Sequence, residues 1–289
     1  RAIEIVEQAL AKYGAPIYVN HELVHNKYVV EEFTKRGVIF SQEPEALPVD
    51  SVYLFSAHGV SPQFRRRVQA CELRVIDATC PLVTKVHHEA ERFADADTYI
   101  FFIGHRGHPE VEGTTGVTQM HLIESVTDAE ALDPASIPHA KVTVLTQTTL
   151  SVDETAEIIA ALKAKFPHLT TPPAKDICYA TTNRQAAVKE LAKHCDFILV
   201  VGSKNSSNCN RLVEAAKRNG CDALLIDKLA DVPEAKLESI TTLGVSSGAS
   251  VPEVLVTRLV TEVLQRFPQA EQADLETLKE NVTFPLPKI

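Results

Sequence analysis

The chain has 289 residues, of which 45% are hydrophobic and 23% are charged, and this composition excludes disordered, fibrous and disulfide-knot proteins. Its 38 acidic residues outnumber its 29 basic residues, so the formal net charge is −9, and the longest basic run is Arg65–Arg67. A nucleic-acid partner is therefore not expected. Apolar runs stay far below the roughly 18 residues of a membrane span, so we predict a cytoplasmic protein with no membrane partner.

Short β-branched or aromatic runs alternate with segments of helical period along the chain, which is typical of α/β proteins with largely parallel sheets. The predicted strands are Ile17–Val19, Val38–Phe40, Val52–Phe55, Val75–Asp77, Tyr99–Ile103, Leu122–Glu124, Val142–Leu145, Phe197–Val201, Ala223–Ile226 and Thr241–Val245. The predicted helices are Ala2–Tyr13, Tyr28–Lys35, Pro62–Cys71, Leu82–Phe93, Val152–Phe166, Asn183–His194, Ser207–Asn219 and Pro252–Phe267.

Two turns that carry a cysteine divide the chain, since Asp77–Pro81 and Asp176–Ala180 each lie directly before a predicted helix. We place domain boundaries beside these turns, and each resulting third holds several strand–helix units. The sequence therefore predicts an α/β fold of three small lobes with largely parallel sheets in a pseudo-threefold arrangement. The predicted domains are residues 1–80, 81–177 and 178–265, followed by an extended C-terminal tail over residues 266–289.

Polar segments follow five of the predicted strands, at the point where each strand ends. They are Ser56–Gly59, Gly104–Gly113, Thr146–Thr149, Gly202–Asn208 and Ser246–Ser250. Ligands of open α/β sheets bind beyond the carboxyl ends of strands, where loops and helix N-termini converge. Any single segment is also typical of a turn or a helix cap. Together they favour a small anion, because N–H groups, hydroxyls and protonated imidazoles all donate to phosphate oxygens.

Glu110 and Glu112 are the candidate carboxylates of the second polar segment. If this loop is extended, the two share one side, and only one of them is central. A carboxyl that its surroundings keep protonated can serve as a proton donor beside imidazoles. The alternative is an exposed glutamate, since most glutamates lie on protein surfaces.

Cys80 and Cys178 occupy matching positions, each in a loop just before a predicted helix. This position is expected to lower the pKa of a thiol and to make it a good metal ligand or nucleophile. Two ligands do not make a metal site, so a buried, inert role stays open for both. That inert role is expected for Cys71, Cys195 and Cys221, whereas Cys209 is ambiguous.

Five longer motifs resemble the 4-hydroxy-3-methylbut-2-enyl diphosphate reductases, the terminal enzymes of the methylerythritol phosphate route to isoprenoids. The motifs are Asp77–Val83, Gly107–Thr114, Thr146–Ser151, Asp176–Gln185 and Gly202–Asn208. The resemblance implies an oxidoreductase with three α/β lobes around a central cavity that holds a [4Fe–4S] cluster. It also implies isopentenyl and dimethylallyl diphosphate as products and an electron donor such as ferredoxin or flavodoxin.

The resemblance assigns roles to individual residues of this sequence. Cys80 and Cys178 match two of the three cluster ligands. Glu110 matches the proton-delivering carboxylate, and Thr148 lies where the family positions the substrate hydroxyl; with His108, these are the expected catalytic residues. The residues similar to the family's diphosphate-binding groups are His25, His58, His108, Ser206, Ser207, Asn208 and Ser250. We expect these histidines and N–H dipoles, rather than an arginine fork, to compensate the diphosphate charge.

One feature departs from the family pattern. The third cluster cysteine lies in a segment immediately upstream of the helix with which this sequence begins, and the sequence does not contain it. We expect an incomplete form of a complete enzyme. The alternative is a phosphate- or diphosphate-binding module without redox activity. A metal-dependent phosphatase using His108 and Glu110 is a more remote alternative.

Overall fold

Three separate sheets, each built from parallel strand pairs, carry the strands of the chain. The structure, a computed structural model, describes residues 1–96, 98–137, 141–172, 175–278, 280, 282–287 and 289. Within them the strands are β1 (Ile17–Val19), β2 (Val38–Phe40), β3 (Val52–Phe55), β4 (Arg74–Asp77), β5 (Tyr99–Ile103), β6 (His121–Ile123), β7 (Val142–Thr146), β8 (Phe197–Val201), β9 (Asp222–Ile226) and β10 (Leu243–Ser247). The sheets have the orders β2-β1-β3-β4, β6-β5-β7 and β10-β8-β9. The prediction of a three-lobed α/β fold is confirmed.

Helices connect the strands and cover the sheets. Within the described residues they are α1 (Ala2–Tyr13), α2 (Lys27–Lys35), α3 (Pro62–Gln69), α4 (Pro81–Asp95), α5 (Pro109–Thr115), α6 (Val126–Ala131), α7 (Val152–Lys165), α8 (Tyr179–Leu191), α9 (Ser207–Arg218), α10 (Glu234–Glu238) and α11 (Glu253–Arg266). Because the sheets are covered on both faces, their inner strands are continuous apolar runs rather than alternating ones. Every residue of the inner strands β3 and β8 is buried, and so is every residue of β7, an edge strand that carries Thr143 and Thr146.

Helix starts depend on local capping. Ser206 caps α9 by accepting a hydrogen bond from the Cys209 N–H, and Cys178 caps α8 through its sulfur. The predicted start of α8 at Asn183 was wrong, since this cap begins the helix four residues earlier, at Tyr179. The segment with Glu110 and Glu112 is helix α5 rather than an extended loop. Pro109 occupies the first turn of this helix, and His108 caps it.

The C-terminal tail returns from α11 to the first lobe. Residues after Phe267 form neither helix nor strand where the structure describes them. Leu286 and Ile289 pack against the core of the first sheet, and the Phe284 ring lies 6.2 Å from the Tyr179 ring. The tail therefore contacts both the first lobe and the start of α8. The domain boundaries themselves stay predictions.

No helix in the described part of the chain combines the length and the apolar composition that crossing a membrane requires.

Candidate functional site

Three histidines from distant parts of the sequence meet in one group, which we call the histidine cluster: His25, His58 and His108. His25 lies just before α2, His58 follows β3, and His108 is the N-cap of α5. Ring centroids are 4.3 Å apart for His25 and His58, 5.1 Å for His25 and His108, and 5.7 Å for His58 and His108. The cluster thus joins the first two lobes at the carboxyl ends of their strands.

Burial keeps two of the cluster histidines neutral. It lowers the pKa of His58 well below its usual value and that of His108 to about 3, and the neighbouring His25 adds to both effects. The His108 Nδ1 accepts a hydrogen bond from the Glu110 N–H at 3.1 Å, so its ring proton is on Nε2. His108 therefore presents an N–H donor to a ligand without carrying a charge.

Gly59 allows the close packing beside His58. Its φ of +78° lies in the left-handed region, and a Cβ there would come within 3.1 Å of the Val83 side chain on α4. The Cys80 N–H also donates to the Ala57 carbonyl at 3.0 Å. The turn that carries Cys80 is therefore held directly against the loop that carries His58.

Glu110 is the central carboxylate of the site, with 3% of its surface exposed, whereas Glu112 on the same helix is exposed. Thr148 donates to both of its oxygens, from its N–H to Oε1 at 2.6 Å and from its hydroxyl to Oε2 at 3.0 Å. Burial raises the pKa of Glu110 to about 7, although these hydrogen bonds oppose the rise. A group with this pKa can hold or release a proton at neutral pH.

Cys80 and Cys178 are the N-cap residues of α4 and α8. The Cys178 N–H donates to the Thr148 carbonyl at 3.0 Å, and its sulfur accepts from the Thr181 N–H at 3.2 Å. The expected lowering of the thiol pKa was wrong. Burial raises the pKa of both thiols above the usual value, and the N–H groups at the helix starts only oppose this effect.

Residues 202–208, which we call the serine–asparagine loop, supply polar groups from the third lobe. Asn208 is buried, and neither its side-chain oxygen nor its nitrogen has a hydrogen-bond partner within the described residues. The Ser206 hydroxyl accepts from the Cys209 N–H at 3.3 Å, and the Ser206 side chain also hydrogen-bonds the Cys209 thiol. An amide with two unused hydrogen-bonding groups is costly unless a ligand satisfies it.

Contacts between lobes place this loop beside the histidine cluster. The Lys27 N–H donates to the Ser203 hydroxyl at 2.9 Å, and the Ser250 hydroxyl donates to the His25 carbonyl at 3.3 Å. The Ser207 hydroxyl donates to the Thr149 carbonyl at 3.3 Å, which joins the second and third lobes. Polar groups of all three lobes therefore border one region.

The sequence of the whole site matches a known family. A sequence model described as "LytB protein" matches residues 1–264. The chain belongs to the LytB family. Iron–sulfur dependence is known for this family.

Relatives and solved structures of the LytB family extend this match to the full chain. A protein of Burkholderia mallei named 4-hydroxy-3-methylbut-2-enyl diphosphate reductase 2 is 50% identical over 291 residues, covering 100% of this chain and 88% of the relative. The structure of the E-1-hydroxy-2-methyl-but-2-enyl-4-diphosphate reductase from Plasmodium falciparum is 37% identical with a TM-score of 0.94, over 99% of this chain and 90% of that one. A second structure, of a (E)-4-hydroxy-3-methyl-but-2-enyl diphosphate reductase, is 26% identical with a TM-score of 0.65, over 92% and 94% of the two chains.

The cysteines of this LytB chain fit part of an iron–sulfur cluster. Cys80 and Cys178 are close enough that a negative charge on Cys80 contributes to raising the pKa of Cys178, after the larger effect of burial. A [4Fe–4S] cluster is bound mainly by cysteine thiolates. Cys209 cannot join them in this arrangement because its sulfur packs against Gly202 and Gly248. Among the described residues, no three His, Cys, Asp or Glu side chains form a metal site.

One ion pair that adjoins the cysteines was not predicted from the sequence. The Asp176 side chain is 2% exposed; its Oδ1 lies 2.8 Å from the Lys85 ammonium, and its Oδ2 accepts from the Thr146 N–H at 3.0 Å. The pair connects α4, which begins at Cys80, with the segment that leads to Cys178. A sequence signal existed, since both cysteine turns begin with an aspartate, Asp77 and Asp176.

Proposed function

We propose that this chain is an iron–sulfur reductase that converts 4-hydroxy-3-methylbut-2-enyl diphosphate to isopentenyl and dimethylallyl diphosphate. The reaction consumes two electrons and two protons, breaks the allylic C–O bond and releases water. The observation that carries the proposal is the buried pair of Glu110 and Thr148, bordered by the histidine cluster and the Cys178 turn. The relatives named above carry the same activity in their names.

Glu110 is proposed to deliver the proton that departing hydroxide requires. Hydroxide is a poor leaving group at neutral pH, so a proton donor near the bond lowers the barrier. When Glu110 is protonated on Oε2, this carboxylic acid donates a hydrogen bond to the Thr148 hydroxyl oxygen. The hydroxyl proton of Thr148 then points away from Glu110. Thr148 can then donate to a substrate hydroxyl. Glu110 and Thr148 thus form a two-member proton relay.

The diphosphate is proposed to bind where the three lobes border one another. His25, His58 and His108 supply imidazole groups, and Asn208 supplies an amide whose hydrogen-bonding groups are otherwise unused. The hydroxyls of Ser206, Ser207 and Ser250 complete the set. Oxygen atoms of a diphosphate accept from these groups once the Ser207 and Ser250 hydroxyls turn from the Thr149 and His25 carbonyls to the ligand.

Cys80 and Cys178 are proposed to hold two corners of a [4Fe–4S] cluster, with a third cysteine from outside these 289 residues. When bound, this group supplies electrons and a Lewis-acidic iron. Ferredoxin or flavodoxin stays the predicted electron donor.

Replacement of Glu110 tests the proposed activity. In the anaerobically reconstituted enzyme, Glu110→Gln is expected to lower kcat by about 100-fold or more, because the amide cannot donate an acidic proton. Binding of inorganic pyrophosphate should stay within a few-fold of wild type. Glu112→Gln, on the exposed side of the same helix, is the matched control and should leave kcat unchanged. A Glu110→Gln enzyme with kcat within tenfold of wild type would contradict the proposed role.

The alternative is a diphosphate-binding module without redox activity, and the names of the relatives favour the reductase over it. Iron and sulfide per chain, measured after reconstitution, separate the two functions. The comparison uses this chain and a version extended upstream through the missing cysteine. If the extended chain binds a substrate-responsive cluster and turns over, the reductase stands. If neither chain holds iron while both bind pyrophosphate, the binding module replaces it.

A further inference from the structure

Arg184 is a half-buried cation that the site described so far does not use. It lies on α8, and its Nη1 donates to the Ser247 carbonyl at 3.3 Å. Its Nε is buried and has no hydrogen-bond partner in the part of the chain that the structure describes. Among the described residues, no Asp or Glu oxygen lies within 4.0 Å of its guanidinium, in contrast to the ion-paired Arg211 and Arg218. Arg184 therefore has unused donors and no counter-ion.

The Arg184 guanidinium lies close to two loops of the third lobe, the serine–asparagine loop and the turn that carries Ser250. Ser247 ends β10 and leads directly into the turn that carries Ser250. A Cβ added at Gly202 or at Gly248 would overlap the Cys209 sulfur, so both loops begin at the same buried thiol. Burial raises the pKa of Cys209, and the charge of Arg184 is among the groups that oppose the rise. Arg184 is thus close to the base of both loops.

A diphosphate would bring several negative charges to these loops. Besides His25, the polar groups already assigned to the diphosphate are uncharged: hydroxyls, an amide, and the buried rings of His58 and His108, whose pKa values burial lowers. Lys204 on the serine–asparagine loop is exposed to solvent, where its charge is screened. A half-buried guanidinium without a carboxylate partner is unfavourable until an anion compensates it.

We propose that Arg184 provides the positive charge that balances the bound diphosphate, acting from beneath the serine–asparagine loop and the Ser250 turn. Its hydrogen bond to Ser247 holds the guanidinium at this position. The inference rests on the proposed diphosphate substrate. It also revises the expectation that histidines and N–H dipoles alone compensate the charge.

The test measures the Kd of inorganic pyrophosphate by calorimetry on the full chain without a cluster, over a range of salt concentrations. Arg184→Gln keeps a donor for Ser247 but removes the charge, and is expected to weaken binding by about tenfold or more. It should also make the dependence of Kd on salt shallower. Arg184→Lys keeps the charge and should stay within about threefold of wild type. Arg218→Gln, which removes an exposed cation from α9, is the matched control and should bind like wild type.

Three results would overturn the inference. Equal pyrophosphate affinity of Arg184→Gln and wild type means that the charge is not used. Equal weakening by Arg184→Lys and Arg184→Gln means that the guanidinium acts only through its hydrogen-bond geometry. Absence of pyrophosphate binding by the wild-type chain removes the anion site itself. Thermal unfolding of each variant confirms that it is folded.

The outcome is separable from that of the proposed function. Reductase turnover by the reconstituted wild-type enzyme, together with unchanged binding by Arg184→Gln, retains the function and rejects the role of Arg184. Weaker pyrophosphate binding by Arg184→Gln, together with no turnover by the reconstituted extended chain, retains the counter-charge and rejects the reductase.

Discussion

At the scale of single residues, Glu110 combines deep burial with a proton that solvent conditions can remove. Both of its oxygens receive hydrogen bonds from Thr148, and burial raises its pKa to about 7. In the unfolded chain, the Glu110 carboxyl has its ordinary pKa near 4.5. Because the folded state binds this proton more tightly, Glu110 favours folding fully at pH values below 4.5. That contribution is lost as the pH rises through 7.

The resulting prediction compares Glu110→Gln with wild type in the cluster-free protein. The free energy of unfolding of the variant, relative to wild type, should rise by about 2–3 kcal/mol between about pH 5 and about pH 8, since glutamine does not titrate. Urea denaturation at both pH values measures this difference. Other titrating groups, such as Asp176 and the histidines, are common to both proteins and largely cancel. Parallel pH profiles for the two proteins would show that Glu110 does not hold its proton in the folded state.

At the scale of elements, the ion pair of Lys85 and Asp176 links two helices that each begin at a cysteine. Lys85 projects from α4, and Asp176 lies two residues before the N-cap of α8. Asp176 also accepts the N–H of Thr146 at the end of β7. One carboxylate therefore fixes the relative positions of a strand end and two helix starts.

Replacement of Lys85 by methionine is expected to lower the free energy of unfolding by on the order of 2 kcal/mol, because it leaves Asp176 buried without its cation. The loss is smaller than for a fully buried pair, since Lys85 partly reaches solvent and burial already raises the pKa of Asp176 toward the neutral form. Urea denaturation at neutral pH measures it. Lys193→Met, which breaks an exposed pair with Glu190, should change stability by less than about 0.5 kcal/mol. Equal losses in the two variants would contradict the proposed linking role.

The strands were predictable from sequence because buried parallel strands require uninterrupted apolar runs, as in Phe197–Val201. Helix α5 was not predictable in this way. Gly113, Thr114 and Thr115 disfavour helix, and tertiary packing of Val111 and Thr114 outweighs that preference. Short helices α6 and α10 gave too few residues for a periodic signal.

The chemistry at strand ends was visible in sequence because polar residues replaced apolar ones where each strand stopped. The supporting contacts were not visible. Lys85 and Asp176 are 91 positions apart, and Arg184 contacts a carbonyl 63 positions away. Such pairs depend on how helices pack against distant sheets, which no local pattern reports.

At the scale of the whole molecule, the C-terminal tail ties the third lobe back to the first. The carbonyl of Pro285 accepts from Arg1 Nε at 3.1 Å, and Arg1 Nη1 donates to the Thr79 carbonyl at 2.9 Å, next to Cys80. Leu286 and Ile289 cover part of the first core. The tail therefore binds the Arg1 side chain, which contacts the Cys80 turn, and it also packs against the apolar core of the first lobe.

Removal of residues 268–289 is expected to speed amide hydrogen exchange in α1 and β1 by about tenfold or more, because their apolar cover is lost. Alkylation of Cys80 should also become faster, because Arg1 loses its hydrogen bond to the Pro285 carbonyl and its side chain is then held less firmly against Thr79. Mass spectrometry measures both. Exchange in β8, inside the third sheet, serves as the internal control and should not change. Unaltered exchange in α1 and β1 would show that the tail does not stabilise the first lobe.

The distribution of the site over three lobes makes it resemble a multivalent receptor folded into one chain. The hydrogen bonds of Ser203 to Lys27, Ser250 to His25 and Ser207 to Thr149 keep the three sets of donors at a high effective concentration relative to one another. Avidity for a ligand that spans the lobes then depends on contacts made by the proposed donors themselves, since Ser207 and Ser250 belong to the proposed donor set and also join the lobes. Ser203 lies outside that set, so a change at this position would alter affinity while every side chain of the proposed donor set stays the same.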